Sequence, residues 1–172
     1  MSYKDYITEV PDFPVEGVNF KDISPLLANE EAFDNCIEDM GEMVEIPDYW
    51  IGIDARGFLF ASALSIYFGG GIVMCRKAGK LPPTVFSHSY KTEYGEDTIQ
   101  IKQGSGTAII VDDVLATGGT LRATNYLAET AGYEVLDNLV LIDLLYVPRV
   151  VTTLSDGTKE FGLDVKSLIQ YE

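Results

Sequence analysis

The sequence has few of the residues on which redox and metal chemistry depend. Its 172 residues include two cysteines, Cys36 and Cys75, and one histidine, His88. No Cys–His spacing therefore suggests a zinc site or a catalytic thiol–imidazole pair. The two cysteines are expected to be buried free thiols, one in a helix and one in a strand, as in proteins of the reducing cytoplasm. His88 is expected to lie in a loop, without an assigned role.

Basic residues and long apolar runs are also scarce. Only 12 Lys and Arg stand against 27 Asp and Glu, which gives a formal net charge of −15. This balance argues against nucleic-acid binding, which depends on a basic surface. No apolar run approaches the ~20 residues that span a bilayer, and the N-terminal segment MSYKDYITEV lacks the apolar core of a signal peptide. We expect a cytoplasmic protein that binds neither nucleic acid nor membranes.

The most informative stretch combines an apolar strand, two acids and a loop of small residues. Residues 108–111 are apolar and rich in β-branched side chains, as in a strand buried on both faces. Asp112 and Asp113 follow, and the letters ATGGT stand at 116–120. Apolar residues at helical spacing come next and stop at Gly132. The loop is thus predicted to join a strand to a helix N-terminus, which is where open α/β sheets bind ligands.

The residue types in this loop favour an anion next to a sugar or a metal. Gly118 and Gly119 would let backbone N–H groups turn inward, and Thr117 and Thr120 add hydroxyl donors, so a terminal phosphate fits. The two adjacent carboxylates would repel that phosphate. They suit either the vicinal hydroxyls of a sugar or a Mg²⁺ ion. The alternative is an ordinary strand–turn–helix corner capped by Asp and Thr, which requires the whole dozen residues to coincide.

This stretch resembles the ribose-5-phosphate motif of the type I phosphoribosyltransferases. The resemblance implies that Asp112 and Asp113 hold the 2′- and 3′-hydroxyls of phosphoribosyl pyrophosphate. It implies that the loop made of Ala116, Thr117, Gly118, Gly119 and Thr120 wraps the 5′-phosphate. It also implies Mg²⁺ as cofactor, held mainly by substrate and water.

Further stretches resemble adenine phosphoribosyltransferases in the same order and at similar spacing. They read VPDFPVEGVNFKDISPLL from 10, GIDARGFLF from 52, RKAGKLP from 76, YKTEYG from 90 and SLIQYE from 167. Together they cover nearly the whole chain, and they imply a homodimeric enzyme of purine salvage that converts adenine and phosphoribosyl pyrophosphate to AMP and pyrophosphate. A 6-oxopurine enzyme on the same scaffold and a non-catalytic sensor of phosphoribosyl pyrophosphate remain as alternatives.

The same resemblance assigns roles to individual side chains. Arg56 and Glu93 are implied as catalytic residues, Arg56 in the pyrophosphate loop and Glu93, next to Tyr94, in proton transfer at the purine. The remaining implied substrate contacts are Arg76, Lys77 and Lys80 for pyrophosphate, Phe20 and Val114 on the two faces of the base, and Asn19 and Lys21, around which backbone groups read adenine. The flexible segment that carries Glu93 would close over the site.

Without the resemblance, each of these residues has a plainer interpretation. Arg56 suits pyrophosphate because a guanidinium donates two parallel hydrogen bonds, but it is equally a surface residue at a helix start. The cations from 76 to 80 could instead belong to a solvated turn. Glu93 could be a solvent-facing acid in a loop, and Phe20 could be an aromatic residue of the core.

The order of elements predicts an α/β fold with a mostly parallel central sheet flanked by helices, in one domain spanning 1–172. The predicted elements are a helix at 30–45, strands at 49–53, 72–76, 105–111 and 138–145, and a helix at 58–68. The resemblance implies that residues 1–30, approximately, contribute to a small hood over the base. Residues 78–104, polar and interrupted by Gly and Pro, are predicted to form a mobile excursion, in the form of a hairpin, that acts as a lid.

Overall fold

Strands and helices alternate along most of the chain in the computed structural model, which describes residues 2–92 and 95–172. In chain order the elements are a 3₁₀ turn at Tyr3–Tyr6, β1 Thr8–Val10, β2 Phe20–Asp22, α1 Ser24–Ala28, α2 Glu30–Glu42, β3 Tyr49–Ile53, α3 Gly57–Phe68, β4 Gly71–Lys77, β5 Phe86–Thr92, β6 Gly95–Ile101, β7 Gly106–Leu115, α4 Gly119–Thr130, β8 Tyr133–Leu144, β9 Thr152–Thr153, β10 Lys159–Glu160 and β11 Lys166–Tyr171. The predicted α/β class is confirmed.

The central sheet has seven strands in the described part of the chain, in the order β11-β8-β7-β3-β4-β6-β5. The first five are parallel neighbours, and the hairpin of β5 and β6 is antiparallel at the edge. Two short hairpins, β1–β2 and β9–β10, stand apart from this sheet. The sheet is therefore mostly parallel, as the sequence predicts.

Helices cover both faces of the sheet. Trp50 and Ile109 point to the face that packs against α2 and α3, whereas their chain neighbours Ile51 and Ile110 point to the face under α4. All four side chains are fully buried. Strands buried on both faces read as unbroken apolar runs, which explains why residues 108–111 show no alternation of polar and apolar side chains.

The chain reverses direction across the sheet between β3 and β7. From β3 the chain passes through α3 to β4 on one side, and from β7 it passes through α4 to β8 on the other side. Because α3 and α4 lie on opposite faces, the loops after β3 and β7 diverge and leave a crevice at the carboxyl edge of the sheet. Crevices of this kind are the usual ligand sites of open α/β sheets.

Several predicted boundaries differ from the observed ones. The first long helix ends at Glu42 rather than 45, and its start is capped by the Asn29 side chain, which accepts from the Ala32 N–H at 2.9 Å. The strand predicted at 105–111 runs on to Leu115, because Val114 and Leu115 still pair with β8. The two acids thus lie within the strand end and not in the loop. The strand predicted at 138–145 begins earlier, at Tyr133.

The predicted hairpin within 78–104 is confirmed, although β6 also extends the central sheet by pairing with β4. His88 lies in β5 opposite Ile99, with its ring 4.6 Å from that of Tyr126, so the loop position expected for it is wrong. The sequence of β5, FSHSYKT, alternates rings with small or polar side chains, and this alternation is the strand signal that was missed. In the structure the ring-bearing positions are partly buried or face Tyr126, and the serines between them are exposed.

Both cysteines are buried free thiols, Cys36 in α2 and Cys75 in β4, as predicted. Burial raises the pKa of the Cys36 thiol to about 12 and that of Cys75 to about 11. Both are therefore unreactive at neutral pH. Over the ranges described, no helix combines the length and apolarity needed to cross a bilayer.

Candidate active site

The start of α3 lies very close to strand β7 at the edge of the crevice. A Cβ placed on Gly57, the first residue of α3, would lie 2.6 Å from the Val111 carbonyl oxygen of β7. Only glycine allows α3 to start this close to the neighbouring strand. The close approach brings Arg56, just before Gly57, within reach of the end of β7.

Arg56 forms an ion pair with the second of the two acids. Its Nε lies 2.8 Å from Oδ2 of Asp113, a residue that is 4 % exposed. The N–H is not directed at this oxygen, which has no hydrogen-bond partner among the described residues. Asp112 is turned differently, since its Oδ1 accepts the Asp113 backbone N–H at 2.9 Å. Oδ2 of Asp113 is therefore buried beside the Arg56 cation and makes no hydrogen bond within the described residues.

The environment of the two acids favours their protonated forms. Burial, and then the charge of Asp113, raise the pKa of Asp112 well above its usual range. Burial also raises the pKa of Asp113, although the Arg56 guanidinium opposes that rise. Two adjacent buried carboxylates with one cation retain acceptor capacity for hydroxyl groups or a metal ion.

The loop after β7 is shaped as an anion site. Gly118 adopts a left-handed conformation, with φ +82°, and serves as the N-cap of α4. The N–H groups of the first turn of α4 have no intrahelical acceptor and face the carboxyl edge of the sheet. A cleft of about 110 Å³ lies here, and its lining includes Asp112, Val114 and residues 115–121. The predicted phosphate loop and Asp112, one of the two predicted sugar-binding acids, thus border one cleft, whose lining does not include Asp113.

Two cations flank the end of β3. Arg76, at the end of β4, donates from Nε to Oδ2 of Asp54 at 3.1 Å, and its guanidinium lies 5.6 Å from the Phe58 ring centre. Lys77 and Lys80 are exposed at the same end of β4, and neither takes part in an ion pair within the described segments. The structure therefore brings Arg56 and Arg76 to one edge, with Arg76 engaged by a carboxylate.

The N-terminal hairpin supplies an aromatic face beside Arg56. The Phe20 ring centre lies 5.0 Å from the Arg56 guanidinium, and the Phe13 ring meets it edge-on at 5.2 Å. Arg56 thus contacts both Phe20 and Asp113, the neighbour of Val114. This contact joins the predicted base segment to the predicted sugar segment.

Lys21 and Asn19 converge on one acid. Lys21 is buried, and its Nζ lies 2.5 Å from Oε2 of Glu9 and 4.0 Å from the Tyr171 ring centre. Asn19 donates to the same Glu9 oxygen at 2.6 Å, whereas its own Oδ1 is buried without a partner among the described residues. These two bonds lower the pKa of Glu9. The Lys21 side chain is thus engaged by Glu9 and the Tyr171 ring.

Known proteins share both this sequence and this fold. Residues 23–145 match the model of the phosphoribosyl transferase domain family. The adenine phosphoribosyltransferase of Mycoplasmopsis pulmonis is 42 % identical over 99 % of this chain and 98 % of its own length. The chain belongs to the adenine phosphoribosyltransferase family.

Solved structures of the family agree with this membership. The enzyme from Thermoanaerobacter pseudethanolicus superposes with a TM-score of 0.86 at 36 % identity, over 98 % of both chains. The enzyme from Saccharomyces cerevisiae, solved with adenine and an imino-altritol bisphosphate, superposes with a TM-score of 0.74 at 33 % identity. That superposition covers 86 % of this chain and 94 % of the yeast chain.

Two of the predicted site residues, Glu93 and Tyr94, lie outside the described residues. The flanking strands are described, and β5 carries a contact that the sequence did not reveal. The Tyr90 hydroxyl lies 2.9 Å from Oγ1 of Thr120, and burial raises the pKa of Tyr90. A tyrosine in an alternating strand pattern is the one sequence signal that could have pointed to it.

Arg149 is a second residue that sequence reasoning missed. Its guanidinium donates to the Ala116 carbonyl of the phosphate loop and to the Asp143 carboxylate. It is 33 residues from Ala116 in the chain, and no motif marks the stretch YVPRV in which it lies. Only the fold places it beside the loop.

Proposed function

We propose that this chain transfers the 5-phosphoribosyl group of phosphoribosyl pyrophosphate to N9 of adenine, which gives AMP and pyrophosphate in purine salvage. The observation that carries the proposal is the convergence of three features at the crevice between β3 and β7. These are the Asp112–Asp113 pair, the glycine turn at the start of α4, and Arg56 in contact with both Asp113 and Phe20. The family supports the same chemistry.

The substrate follows from these features. The 5′-phosphate accepts from the N–H groups at the start of α4, and the ribose hydroxyls donate to Asp112 and Asp113. Pyrophosphate lies toward Arg56, with Lys77 and Lys80 at the same edge. This arrangement separates the two phosphate-bearing ends of the sugar, so that C1′ faces the hood.

The reaction breaks the bond between C1′ and the pyrophosphate oxygen, and the bonding electrons leave with pyrophosphate. The ribose ring gains oxocarbenium character, and the adenine N9 lone pair forms the new bond to C1′. Arg56 stabilises the charge that develops on pyrophosphate. The N9 proton passes to a carboxylate, a role that we assign to Glu93.

Mg²⁺ fits the donor set at the end of β7. Asp112 and Asp113 offer hard oxygen ligands, and one oxygen of Asp113 is buried without a hydrogen-bond partner in the described residues. Bound there, Mg²⁺ would neutralise negative charge on the leaving group. The described residues contain no cluster of three or more His, Cys, Asp and Glu side chains. Substrate oxygens and water would therefore complete its coordination.

The base site combines stacking with backbone recognition. Phe20 offers a ring face beside Arg56, and Val114 lies on the wall of the ribose cleft. A backbone carbonyl near Asn19 and Lys21 would accept from the 6-amino group of adenine. A 6-oxopurine at that position would leave two acceptors facing each other, so it would be rejected.

We also propose a cytoplasmic homodimer. Exposed apolar side chains gather on α3 and the adjacent β4: Leu59, Ile66, Tyr67, Ile72 and Met74. Ile66 is 88 % exposed, and apolar patches of this kind mark interfaces. In sedimentation velocity we expect a dimer that Ile66→Asp converts to a monomer. A wild-type monomer at micromolar concentration would contradict the proposal.

The deciding experiment measures AMP, IMP and GMP formation by the purified chain with Mg²⁺, phosphoribosyl pyrophosphate and each base in turn. Turnover of adenine alone supports the proposal. Turnover of hypoxanthine or guanine would identify a 6-oxopurine enzyme. Tight binding of phosphoribosyl pyrophosphate without turnover of any base would identify a sensor.

A matched variant tests the role of Glu93. Glu93→Gln keeps the size of the side chain and removes its basicity, so we expect kcat to fall about a hundredfold with little change in KM. Glu96→Gln, three residues further along the hairpin, is the control. An unchanged kcat in Glu93→Gln would remove Glu93 from the mechanism.

A further inference from the structure

The segment between β8 and β11 packs over the phosphate loop. Residues 145–165 leave the sheet after β8, form the β9–β10 hairpin and return to the edge at β11. From this segment Arg149, Val150 and Phe161 contact the loop after β7. The loop is therefore held from outside by a part of the chain that has no phosphate-binding pattern of its own.

Arg149 makes the central contacts. One of its terminal nitrogens donates to the Ala116 carbonyl and also lies 3.1 Å from the Leu144 carbonyl oxygen and 3.3 Å from that of Val147. The other terminal nitrogen donates to Asp143, which is 8 % exposed. The planar guanidinium thus serves three carbonyls and a buried carboxylate together, which the single nitrogen of lysine cannot do.

The next peptide of the loop is held in the same way. The Thr117 carbonyl accepts from the Val150 N–H at 2.7 Å. A Cβ on Gly118 would overlap the Phe161 ring, and the Phe161 ring centre lies 6.0 Å from the Arg149 guanidinium. Two consecutive loop carbonyls and the glycine of the turn are therefore fixed by one segment.

The direction of these carbonyls decides where the neighbouring N–H groups point. In a trans peptide the C=O and the following N–H are antiparallel. Because Arg149 holds the Ala116 carbonyl, the Thr117 N–H must point the opposite way. Val150 holds the Thr117 carbonyl, so the Gly118 N–H must likewise point away from Val150. Neither N–H donates to another backbone group in the described parts of the chain. Both are thereby oriented in advance for an anion on the far side of the loop.

We propose that Arg149, itself held by Asp143, is a positioning residue that orients the Thr117 and Gly118 N–H groups toward the 5′-phosphate. This inference rests on the proposed function, since it takes the 116–120 loop as the site of that phosphate. Arg149 touches the loop backbone and not the substrate. Its loss should therefore weaken binding of the phosphate and leave binding of the base and ribose unchanged.

The test compares AMP with adenosine, which differ only in the 5′-phosphate. By isothermal titration calorimetry, Arg149→Met should lower the ratio of AMP to adenosine affinity about tenfold, because misplaced loop amides lose their alignment with the phosphate. The Kd of adenosine should not change. Arg149→Lys should recover little of the ratio, and Asp143→Asn should lower it by a smaller factor. KM for phosphoribosyl pyrophosphate should rise with the AMP Kd, whereas KM for adenine should not.

The control is Lys166→Met. It removes an ion pair in the first half of β8, further from the phosphate loop, where Lys166 Nζ lies 3.6 Å from Oδ2 of Asp137. An equal AMP-to-adenosine ratio in wild type and Arg149→Met would overturn the inference, as would an equal loss in the control. If Arg149→Met does not fold, the same titration of Asp143→Asn decides. Failure of the wild type to prefer AMP over adenosine would instead contradict the proposed function.

Discussion

The loops after β7 and β3 leave neighbouring strands at the carboxyl edge of the sheet, and each is suited to bind an anion through a different kind of group. The loop after β7 uses backbone groups: a glycine at φ +82° and carbonyls held by Arg149 and Val150. The loop after β3 uses a side chain, Arg56, set in place by the close approach of Gly57 to β7. The first should tolerate almost no change of backbone shape, and the second almost no change of side-chain charge and geometry.

The largest expected effect comes from the carboxylate that joins the two loops. Asp113→Asn removes the charge paired with Arg56 and one charged acceptor for ribose hydroxyls, and the hydrogen bond to that acceptor is worth about 1.5–3 kcal/mol. We expect kcat/KM for phosphoribosyl pyrophosphate to fall about a hundredfold in a steady-state assay. Asp137→Asn, which removes the carboxylate paired with Lys166 in the first half of β8, is the control. A loss below threefold would contradict the role of Asp113.

A single methyl group on Gly118 should displace the loop after β7, whose anion-binding groups belong to the backbone. Gly118→Ala forces a side chain onto a positive φ and into the Phe161 ring, so we expect KM for phosphoribosyl pyrophosphate to rise about tenfold through displacement of the loop. Gly157→Ala is a matched control, since Gly157 has φ +85° and nothing within 4 Å of its added Cβ. Equal effects of the two variants would show that strain alone is responsible.

The loop after β3 acts through the Arg56 side chain, so it should be sensitive to the shape of that side chain even when the charge is kept. Arg56→Lys keeps the cation but loses the parallel pair of hydrogen bonds to pyrophosphate. In the reverse reaction we expect KM for pyrophosphate to rise about tenfold, the equivalent of about 1.4 kcal/mol. Arg76→Lys should cost less, because Asp54 already engages Arg76. The opposite order would identify Arg76 as the main pyrophosphate ligand.

The smallest effect concerns stability and pH. Burial, and then the charge of Asp113, raise the folded-state pKa of Asp112 above its unfolded value. The folded state therefore binds this proton more tightly, and that stabilisation is lost as pH rises from the unfolded pKa through the raised folded pKa. Asp112→Asn should increase Tm by a few degrees at pH 7 and by less near pH 4.

Asp22 supplies a control of opposite sign for this measurement. Its hydrogen bonds from Ser24 lower its pKa, so its contribution to stability is present above the unfolded pKa and lost as pH falls through the folded pKa. Asp22→Asn should therefore decrease Tm at pH 7. A pH-independent difference between Asp112→Asn and wild type would contradict the raised pKa of Asp112.

The local features of the fold were predictable because they depend on neighbours in the chain. The apolar run at 108–111 identified a strand buried on both faces, and the glycines after it identified the turn into α4. The strand at 49–53 was predicted with its observed bounds. The end of β7 was not, because Val114 and Leu115 are held in the strand by β8, which comes later in the chain.

The candidate site also combines features that depend on neighbours in the chain with features that depend on the tertiary structure. The sequence by itself determined the chemical types: two adjacent acids, a small-residue turn before a helix, and an arginine before another helix. Only the tertiary structure decided that Arg56 meets Asp113 and Phe20, that Arg76 is engaged by Asp54, and that Arg149 holds the phosphate loop from 33 residues away. These contacts depend on which parallel strands are neighbours and on which face each helix packs, and both are set by burial of the whole core rather than by any local pattern.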